Sequence, residues 1–293
     1  MKEYNFSLSE EDLDVMKVQE GYLNGFHLKK KETECKGSVI TFGGSEGSSN
    51  YNMAKMMANN GYEVLSLYFF GKDNQPSQIR RIPIEFFSNV ITYINKHFSS
   101  LHPLTLFGGS KGAELSLILS EYYSEIDNLI LIAPSAYRFQ GWDMMNDVSS
   151  WTYNNKDLSY ISLKNASIIE KVKINLQYAL RLTVKEKSYH DSAIENSPNI
   201  EEARIKAEKF KGNILILLGK EDGMWNSYSM AQKIKEAKPD NTEVLVYEGV
   251  GHAFGVDRVC GKYFMGGQND LNKIALTKSC EKILDTLHIW HKK

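Results

Sequence analysis

Residues 106–114 read LFGGSKGAE and set Ser110 between two glycines, directly after an apolar run that predicts a strand. The residues that follow, 111–123, have the spacing of a helix. A serine on such a turn needs small neighbours, because the turn is too tight for larger side chains. The same turn exposes the serine hydroxyl above the sheet. The turn also brings the N–H of Lys111 to a helix N-terminus, where a developing oxyanion is stabilised. We therefore predict that Ser110 is a nucleophile and that the Lys111 N–H is one oxyanion donor.

Short apolar runs alternate with helical patterns on both sides of this turn. The runs are nearly continuous in apolar residues, which is typical of strands covered on both faces, and lie at residues 38–43, 62–70, 104–108, 128–133, 213–219 and 243–248. Pro83 is expected to open one helix, and Asp270 to cap a last helix that carries Ile274 in its buried stripe. The alternation predicts a doubly wound α/β domain with a mostly parallel sheet.

One long insertion interrupts this pattern between about residues 136 and 209, where we expect no strong strand and a helix in SIIEKVKINLQYALRLTVKE. An insertion of this length after a strand favours a lid or binding segment. The alternative is a surface excursion with a small core of its own. We expect residues 1–35 to form a looser lead-in and residues 36–293 to form the catalytic domain.

Composition narrows the classes of function. The 293 residues include 35 Lys plus Arg and 36 Asp plus Glu, and this near balance does not support a nucleic-acid-binding surface. No apolar run approaches the roughly 18 residues that cross a membrane, and the acidic N-terminus does not resemble a secretory signal. Cys35, Cys260 and Cys280 are far apart and have no metal-ligand spacing. We expect a cytoplasmic protein with reduced thiols and no metal or cofactor.

A serine hydroxyl is a poor nucleophile until a base takes its proton, so the chain must supply a histidine and an acid. On this kind of sheet the acid and then the histidine follow the serine along the chain, each at a strand end. Asp222 follows the run at 213–219 and His252 the run at 243–248, on the edge where Ser110 lies. We predict that Asp222 is the acid, with Glu221 as the alternative, and that His252 is the base. The competing histidines lack this combination of order and position: His97, His102, His190, His288 and His291.

The glycine-rich loop FGGSEG at residues 42–47 follows the first strong strand. A second oxyanion donor should come from this loop, and glycines let its backbone approach the substrate. We predict the N–H of Ser45, within one residue in either direction. A phosphate-binding loop is the rival interpretation, but the stretch has neither a G-K-S/T ending nor a full G-x-G-x-x-G spacing.

Seven segments carry a family resemblance in order along about residues 36–293: VITFGGSEG, GYEVLSLYFFG, IPIEFF, LFGGSKGAELSL, ILLGKEDGMWNS, YEGVGHAF and MGGQNDLNKIALTKSCEKILDTLHIWHK. The chain resembles the C-terminal α/β-hydrolase domain of the acyl-CoA thioesterase and bile acid-CoA:amino acid N-acyltransferase family. The resemblance implies an α/β-hydrolase fold with Ser110, Asp222 and His252 as nucleophile, acid and base. It also implies attack on an acyl-CoA thioester, an acyl-serine intermediate and release by water. The roughly 35 preceding residues are too few for the N-terminal β-sandwich of eukaryotic members.

Four functions remain open for a small-molecule substrate. The first is a thioesterase acting on acyl-CoA or another acyl thioester, and the second is a carboxylesterase acting on small oxygen esters. The third is amino acid N-acylation, which is disfavoured because the conjugating member of the family has cysteine where this chain has Ser110. The fourth is a non-catalytic binder, which has no need of all three groups. For the Lys111 side chain we expect either attraction to CoA phosphates or solvation, and for Glu114 a structural role.

Overall fold

The computed structural model describes residues 4–142 and 146–292. Its strands are β1 (Leu13–Glu20), β2 (Leu23–Lys30), β3 (Ser38–Phe42), β4 (Glu63–Tyr68), β5 (Ile82–Pro83), β6 (Leu104–Gly109), β7 (Asn128–Ile132), β8 (Trp151–Tyr153), β9 (Lys156–Asp157), β10 (Asn213–Gly219), β11 (Thr242–Tyr247), β12 (Val259–Cys260) and β13 (Tyr263–Phe264). Its α-helices are α1 (Tyr51–Asn59), α2 (Phe86–His97), α3 (Lys111–Tyr122), α4 (Ile168–Ala179), α5 (Lys187–Glu195), α6 (Ile200–Ala203), α7 (Ser227–Ala237) and α8 (Asn269–Trp290).

Eight of these strands form the central sheet, in the order β1-β2-β4-β3-β6-β7-β10-β11. The pairs from β4 across to β11 are parallel, and the pairs that β1 and β2 make are antiparallel. Successive strand residues point to opposite faces, so Ile40 packs in one core and Val39 in the other. Helices α2, α3 and α7 cover the first face, and α1 and α8 cover the second. The predicted doubly wound, mostly parallel sheet is confirmed.

The N-terminal segment differs from the expected loose lead-in. Strands β1 and β2 form an antiparallel hairpin turned at Gly21, and β2 then pairs with β4, so residues 13–30 belong to the central sheet. On β1 only Leu13 and Val18 are buried, among polar residues that are largely exposed. An edge strand buries few side chains, which is why its sequence signal was weak.

Two helix starts and one buried position also differ from the prediction. Pro83 lies in β5, and α2 begins at Phe86, after a turn in which the N–H of Phe87 donates to the carbonyl of Ile84. Helix α8 begins at Asn269 rather than Asp270. Ile274 is 48% exposed, and Ala275 occupies the buried side of that turn.

The insertion at residues 136–209 contains two short strands, β8 and β9, besides helices α4, α5 and α6. Strand β8 pairs with β5, and Trp151 on β8 is fully buried against the same core as α2 and α3. Phe139 and Ile205 join that core, so the insertion packs on the domain over part of its length. Within residues 4–142 and 146–292, no helix is long and apolar enough to cross a membrane. A lid function for the insertion stays a prediction.

Candidate active site

The turn between β6 and α3 holds Ser110 in a strained backbone conformation. Its φ is 53° and its ψ is −116°, and its N–H donates to the carbonyl of Ile132 at 2.8 Å. Side chains cannot be added on either side: a Cβ on Gly108 would lie 2.2 Å from the Gly112 carbonyl oxygen, and one on Gly112 would lie 2.1 Å from that of Gly43. Strain of this kind persists only where the surroundings enforce it, and it is typical of a nucleophile presented on a strand-to-helix turn.

The structure brings Ser110, His252 and Asp222 into one hydrogen-bonded chain. The Nε2 of His252 lies 2.9 Å from Ser110 Oγ, and its Nδ1 lies 2.8 Å from Asp222 Oδ2. With the proton on Nδ1, the imidazole donates to the carboxylate and accepts from the hydroxyl. The three residues follow β6, β10 and β11, which are parallel, so their carboxyl ends meet at one edge of the sheet. This is the arrangement in which an imidazole can deprotonate an alcohol.

The structure separates Asp222 from the alternative acid, Glu221. Asp222 is 3% exposed and its second oxygen, Oδ1, accepts the N–H groups of Met224 at 2.8 Å and Trp225 at 3.2 Å. These bonds orient the carboxylate toward His252 and satisfy it within the protein. Glu221 is exposed to solvent. Of the two adjacent acids, Asp222 is therefore the one that contacts the imidazole.

Competing histidines lie elsewhere in the fold. His291 approaches Thr105 at 2.7 Å, near the start of β6, at the sheet edge opposite Ser110. His102, just before β6, pairs with Asp127 at 2.7 Å. His97 is exposed on α2. His190, on α5 of the insertion, reaches the neighbourhood of His252 through an intervening aromatic ring.

That ring belongs to Trp225, which contacts His252 edge-on with centroids 5.2 Å apart. Phe139 stacks on Trp225 at 6.1 Å, and His190 contacts Trp225 edge-on at 6.0 Å. Two of these rings, Phe139 and His190, come from the insertion. The insertion therefore contributes to the wall beside the imidazole.

A buried amide, Asn272 of α8, holds the loop that carries His252. Its Oδ1 accepts the N–H of Gly251 at 2.9 Å, and its Nδ2 donates to the carbonyl of Val256 at 2.8 Å. Asn272 has no exposed surface. In addition, the N–H of His252 donates to the Met265 carbonyl at 2.8 Å. The sequence analysis missed Asn272; its only signal was a place in the closing GGQNDLN segment.

The loop after β3 brings Gly44, the neighbour of the predicted Ser45, against the serine. A Cβ on Gly44 would lie 3.2 Å from Ser110 Cβ and 3.4 Å from the Gly109 carbonyl oxygen. The N–H of Gly44 donates to Oε1 of Glu46 at 2.9 Å. Gly44 is within the one-residue range of the prediction. The assignment of the Ser45 N–H as an oxyanion donor stays a prediction.

The side chain of Lys111 is buried, so neither expected role for it is correct. It is 3% exposed, and its Nζ donates to the two carboxylate oxygens of Glu114 at 2.9 and 2.8 Å. Burial lowers the pKa of the Lys111 amine, while the Glu114 carboxylate raises it. A buried, paired ammonium is not available to CoA phosphates and is not solvated. Glu114 has the structural role that was expected.

The site shows no arrangement suited to a metal. Among residues 4–142 and 146–292, no group of three or more His, Cys, Asp or Glu side chains could hold a metal ion.

Comparisons with known proteins agree with this architecture. The chain is 24% identical over 242 residues to mouse acyl-coenzyme A amino acid N-acyltransferase 2, and this alignment covers 80% of this chain and 53% of that protein. It is 23% identical over 277 residues to human acyl-coenzyme A thioesterase 6, covering 89% and 61%. The chain thus spans about half the length of the curated relatives it matches.

A solved esterase from Pyrococcus furiosus superposes with a TM-score of 0.57 at 12% identity, covering 97% of this chain and 96% of the esterase. The α/β-hydrolase fold expected from the resemblance is confirmed. The model of the family described as BAAT / Acyl-CoA thioester hydrolase C terminal matches residues 82–256, more than half of the chain. The chain therefore belongs to this family of acyl-CoA thioester hydrolase and bile acid-CoA:amino acid N-acyltransferase C-terminal domains.

Proposed function

We propose that the chain is a serine hydrolase that cleaves acyl thioesters, with acyl-CoA as the substrate class, through an acyl-serine intermediate. One observation carries the proposal: the Ser110 hydroxyl lies 2.9 Å from a histidine whose other nitrogen lies 2.8 Å from the buried Asp222 carboxylate. Membership of the family supports the thioester as the bond attacked. The names of the relatives support CoA as the leaving group.

In the first half of the proposed reaction, Ser110 Oγ attacks the thioester carbonyl carbon while His252 Nε2 takes the hydroxyl proton. The imidazolium that forms is stabilised by Asp222, which keeps its negative charge. The tetrahedral intermediate then collapses, the carbon–sulfur bond breaks, and the thiolate leaves with the proton from His252. The product of this half is an ester between the acyl group and Ser110.

Water completes the cycle in the second half. His252 takes a proton from a water molecule, whose oxygen attacks the acyl-serine carbonyl carbon. When the second tetrahedral intermediate collapses, the bond to Ser110 Oγ breaks and His252 returns the proton to the serine. The carboxylic acid leaves and the free enzyme is regenerated.

The carbonyl oxygen becomes negatively charged in both halves, and backbone N–H groups stabilise it. We assign one donor to Lys111, the first residue of α3, where the helix dipole adds to the hydrogen bond. The second donor comes from the loop at Gly44 and Ser45. Removing one such donor costs roughly 100- to 1,000-fold in turnover.

Hydrolysis is proposed over transfer to an amine because the nucleophile is Ser110 rather than cysteine. A thiolate also departs with less help from His252 than an alkoxide does, which separates thioesters from oxygen esters as substrates. The experiment is a measurement of kcat/KM on acyl-CoAs of increasing chain length and on ethyl esters of the same acids, whose leaving group is an alkoxide. A preference for the oxygen esters would contradict the thioesterase proposal and favour a carboxylesterase.

Two additions extend the same experiment. Glycine or taurine is added to the acyl-CoA reaction, and an acyl amide product would indicate N-acylation instead of hydrolysis. A fluorophosphonate reagent tests the nucleophile, and failure to label Ser110 would favour a binding protein without catalysis. The cytoplasmic location stays a prediction from the sequence.

Three variants connect the activity to the site. Ser110→Ala should remove nearly all turnover, because the nucleophile is lost. It should not unfold the protein, because alanine is close to serine in size and the hydroxyl bonds to His252 rather than to a residue of the hydrophobic core. Asp222→Asn should lower kcat by about 10⁴-fold, since the imidazole loses its charged partner. Glu221→Gln, a change of the same type at the adjacent exposed acid, should leave kcat unchanged. Equal effects at 221 and 222 would contradict the assignment.

A further inference from the structure

Helix α4, in the insertion, leaves a row of large apolar side chains uncovered. Of its twelve described residues, Ile174 alone is buried. The uncovered apolar residues of α4 and of its C-cap, Leu180, are between 51% and 78% exposed, and we call them the α4 stripe: Ile168, Ile169, Val172, Leu176 and Leu180. A continuous exposed apolar surface on a folded chain marks a binding surface more often than scattered single residues do.

The side chains are arranged around α4 as on a helix that lies along an apolar boundary. At about 100° per residue, the α4 stripe covers about 120° of the helix circumference, and Ile174 lies on the opposite side. Lys173 lies about 20° beyond one border of the stripe, and Lys171 lies about 60° beyond the other. Lysines at such borders can extend their charged ends toward a polar phase while their carbon chains stay near the apolar one.

The charge of this region differs from that of the whole protein. Residues 164–187 contain six basic and two acidic side chains, a formal excess of four positive charges, in a chain whose net charge is −1. Lys173 pairs with Glu170, and Lys262 lies over the ring of Tyr178 at 4.6 Å, adding a further cation at the end of α4. The segment that carries the α4 stripe therefore has a net positive charge.

We propose that the α4 stripe and its bordering lysines dock on an anionic lipid surface, with the helix axis parallel to that surface. Apolar side chains enter the interface, and lysines bind the anionic headgroups, which is how interfacial amphipathic helices bind. A second copy of this chain is a poorer occupant, because two such surfaces would bring like charges together. The proposal goes beyond the proposed hydrolase function and does not depend on it.

Helix α4 lies next to elements that contact the candidate active site. Helix α4 packs on α5, and His190 of α5 contacts Trp225 beside His252. The segment between the two helices pairs with the β12–β13 hairpin, where the N–H of Val184 donates to the carbonyl of Lys262 at 2.7 Å. A lipid surface at α4 would thus adjoin the part of the insertion that lines the candidate active site.

The test is cosedimentation of the purified chain with phosphatidylcholine vesicles, pure or containing about a third phosphatidylglycerol. We expect stronger binding to the anionic vesicles, and loss of that difference in about 1 M salt, where the Debye length is about 3 Å. Lys171→Gln/Lys173→Gln should weaken anionic binding by about fivefold for each charge removed. Ile169→Ser/Leu176→Ser should weaken binding to both kinds of vesicle.

A matched control uses two exposed apolar residues on α8, Ile274 and Ile289, which are 48% and 62% exposed. Ile274→Ser/Ile289→Ser should bind vesicles like the unmodified chain. None of these variants removes a buried side chain, so folding is retained and circular dichroism verifies it. Equal binding to neutral and anionic vesicles, or equal effects of the α4 and α8 variants, would overturn the proposal. Self-association lost in Ile169→Ser/Leu176→Ser, without vesicle binding, would assign the stripe to a second copy.

Discussion

Trp151 donates its indole N–H to Oε1 of Glu114 at 2.7 Å, so a residue of the insertion is bonded to the helix that begins at the serine turn. The same carboxylate accepts the Nζ of Lys111 through both oxygens and the N–H of Phe139 at 3.2 Å. All four residues are buried. Glu114 therefore ties the residue after Ser110 to two points of the insertion.

Glu114→Gln should destabilise the protein strongly, because it leaves the buried Lys111 ammonium without a counter-charge. The expected loss in the free energy of unfolding is about 3–5 kcal/mol, measured by urea denaturation. Lys111→Met/Glu114→Gln should recover most of it, since the glutamine oxygen can still accept from Trp151 and Phe139. A double variant no more stable than Glu114→Gln would show that the charge pair is not the cause.

Asn272→Ala should lower kcat by about 100-fold with a smaller change in KM. The loop that carries His252 loses two hydrogen bonds, and a displacement of the imidazole by about 1 Å is enough for such a loss of rate. The rate of fluorophosphonate labelling of Ser110 should fall in parallel. Asn269→Ala is the matched control: its Oδ1 accepts the N–H of Arg258 at 2.7 Å, but the residue is exposed. If Asn272→Ala lowers the free energy of unfolding but leaves the labelling rate unchanged, Asn272 has a structural role and does not position His252.

Glu46→Ala should raise kcat/KM by up to about fivefold if the Gly44 N–H stabilises the oxyanion. The Glu46 carboxylate accepts that N–H at 2.9 Å and would compete with the oxyanion for it. A competition of about 1 kcal/mol corresponds to that factor, and this is about the net contribution of a typical hydrogen bond. An unchanged kcat/KM would favour the neighbouring Ser45 N–H as the donor, as the sequence analysis predicted.

The stability of the protein should depend on pH through His291. Burial lowers its pKa to about 4, and its Nδ1 has no hydrogen-bond partner. The unfolded chain binds the proton at about pH 6.5, so the folded state is favoured fully above that pH and loses stability as pH falls toward 4. Between pH 7 and pH 5 this loss is about 2 kcal/mol.

His291→Gln, which carries no charge at any pH, should lose about 2 kcal/mol less than the unmodified chain over the same interval. Urea denaturation at the two pH values measures this difference. His97→Gln, at an exposed histidine, should behave like the unmodified chain. Identical pH dependence in His291→Gln and His97→Gln would contradict the role of burial.

The main strands and the serine turn were predictable because each depends on neighbouring residues. Strand β10 was predicted at its observed bounds, since an apolar run bounded by turn residues is a local signal. The serine turn was predictable because the glycines around Ser110 are also a local signal, since larger residues do not fit so tight a turn. The edge strand β1 was missed because a largely exposed strand has a composition close to that of a loop.

The side-chain contacts around the serine turn and the histidine loop, beyond the three catalytic candidates, were not predictable from the sequence. The burial of Lys111 depends on Glu114, on Phe139 and on Trp151, which is 37 residues beyond Glu114. The choice between Gly44 and Ser45 depends on the path of one loop relative to another. The hold of Asn272 on Gly251 joins residues 21 positions apart through the start of α8.

The sequence by itself determined the alternation of strands and helices, the serine turn, and the order of serine, acid and histidine, because local sterics and hydrophobic periodicity encode them. Only the tertiary structure decided which of two adjacent acids meets the imidazole, that Gly44 lies against Ser110, and that the lysine after the serine is buried. Those outcomes depend on distances between segments far apart in the chain, which are set by how the sheet, the helices and the insertion pack together.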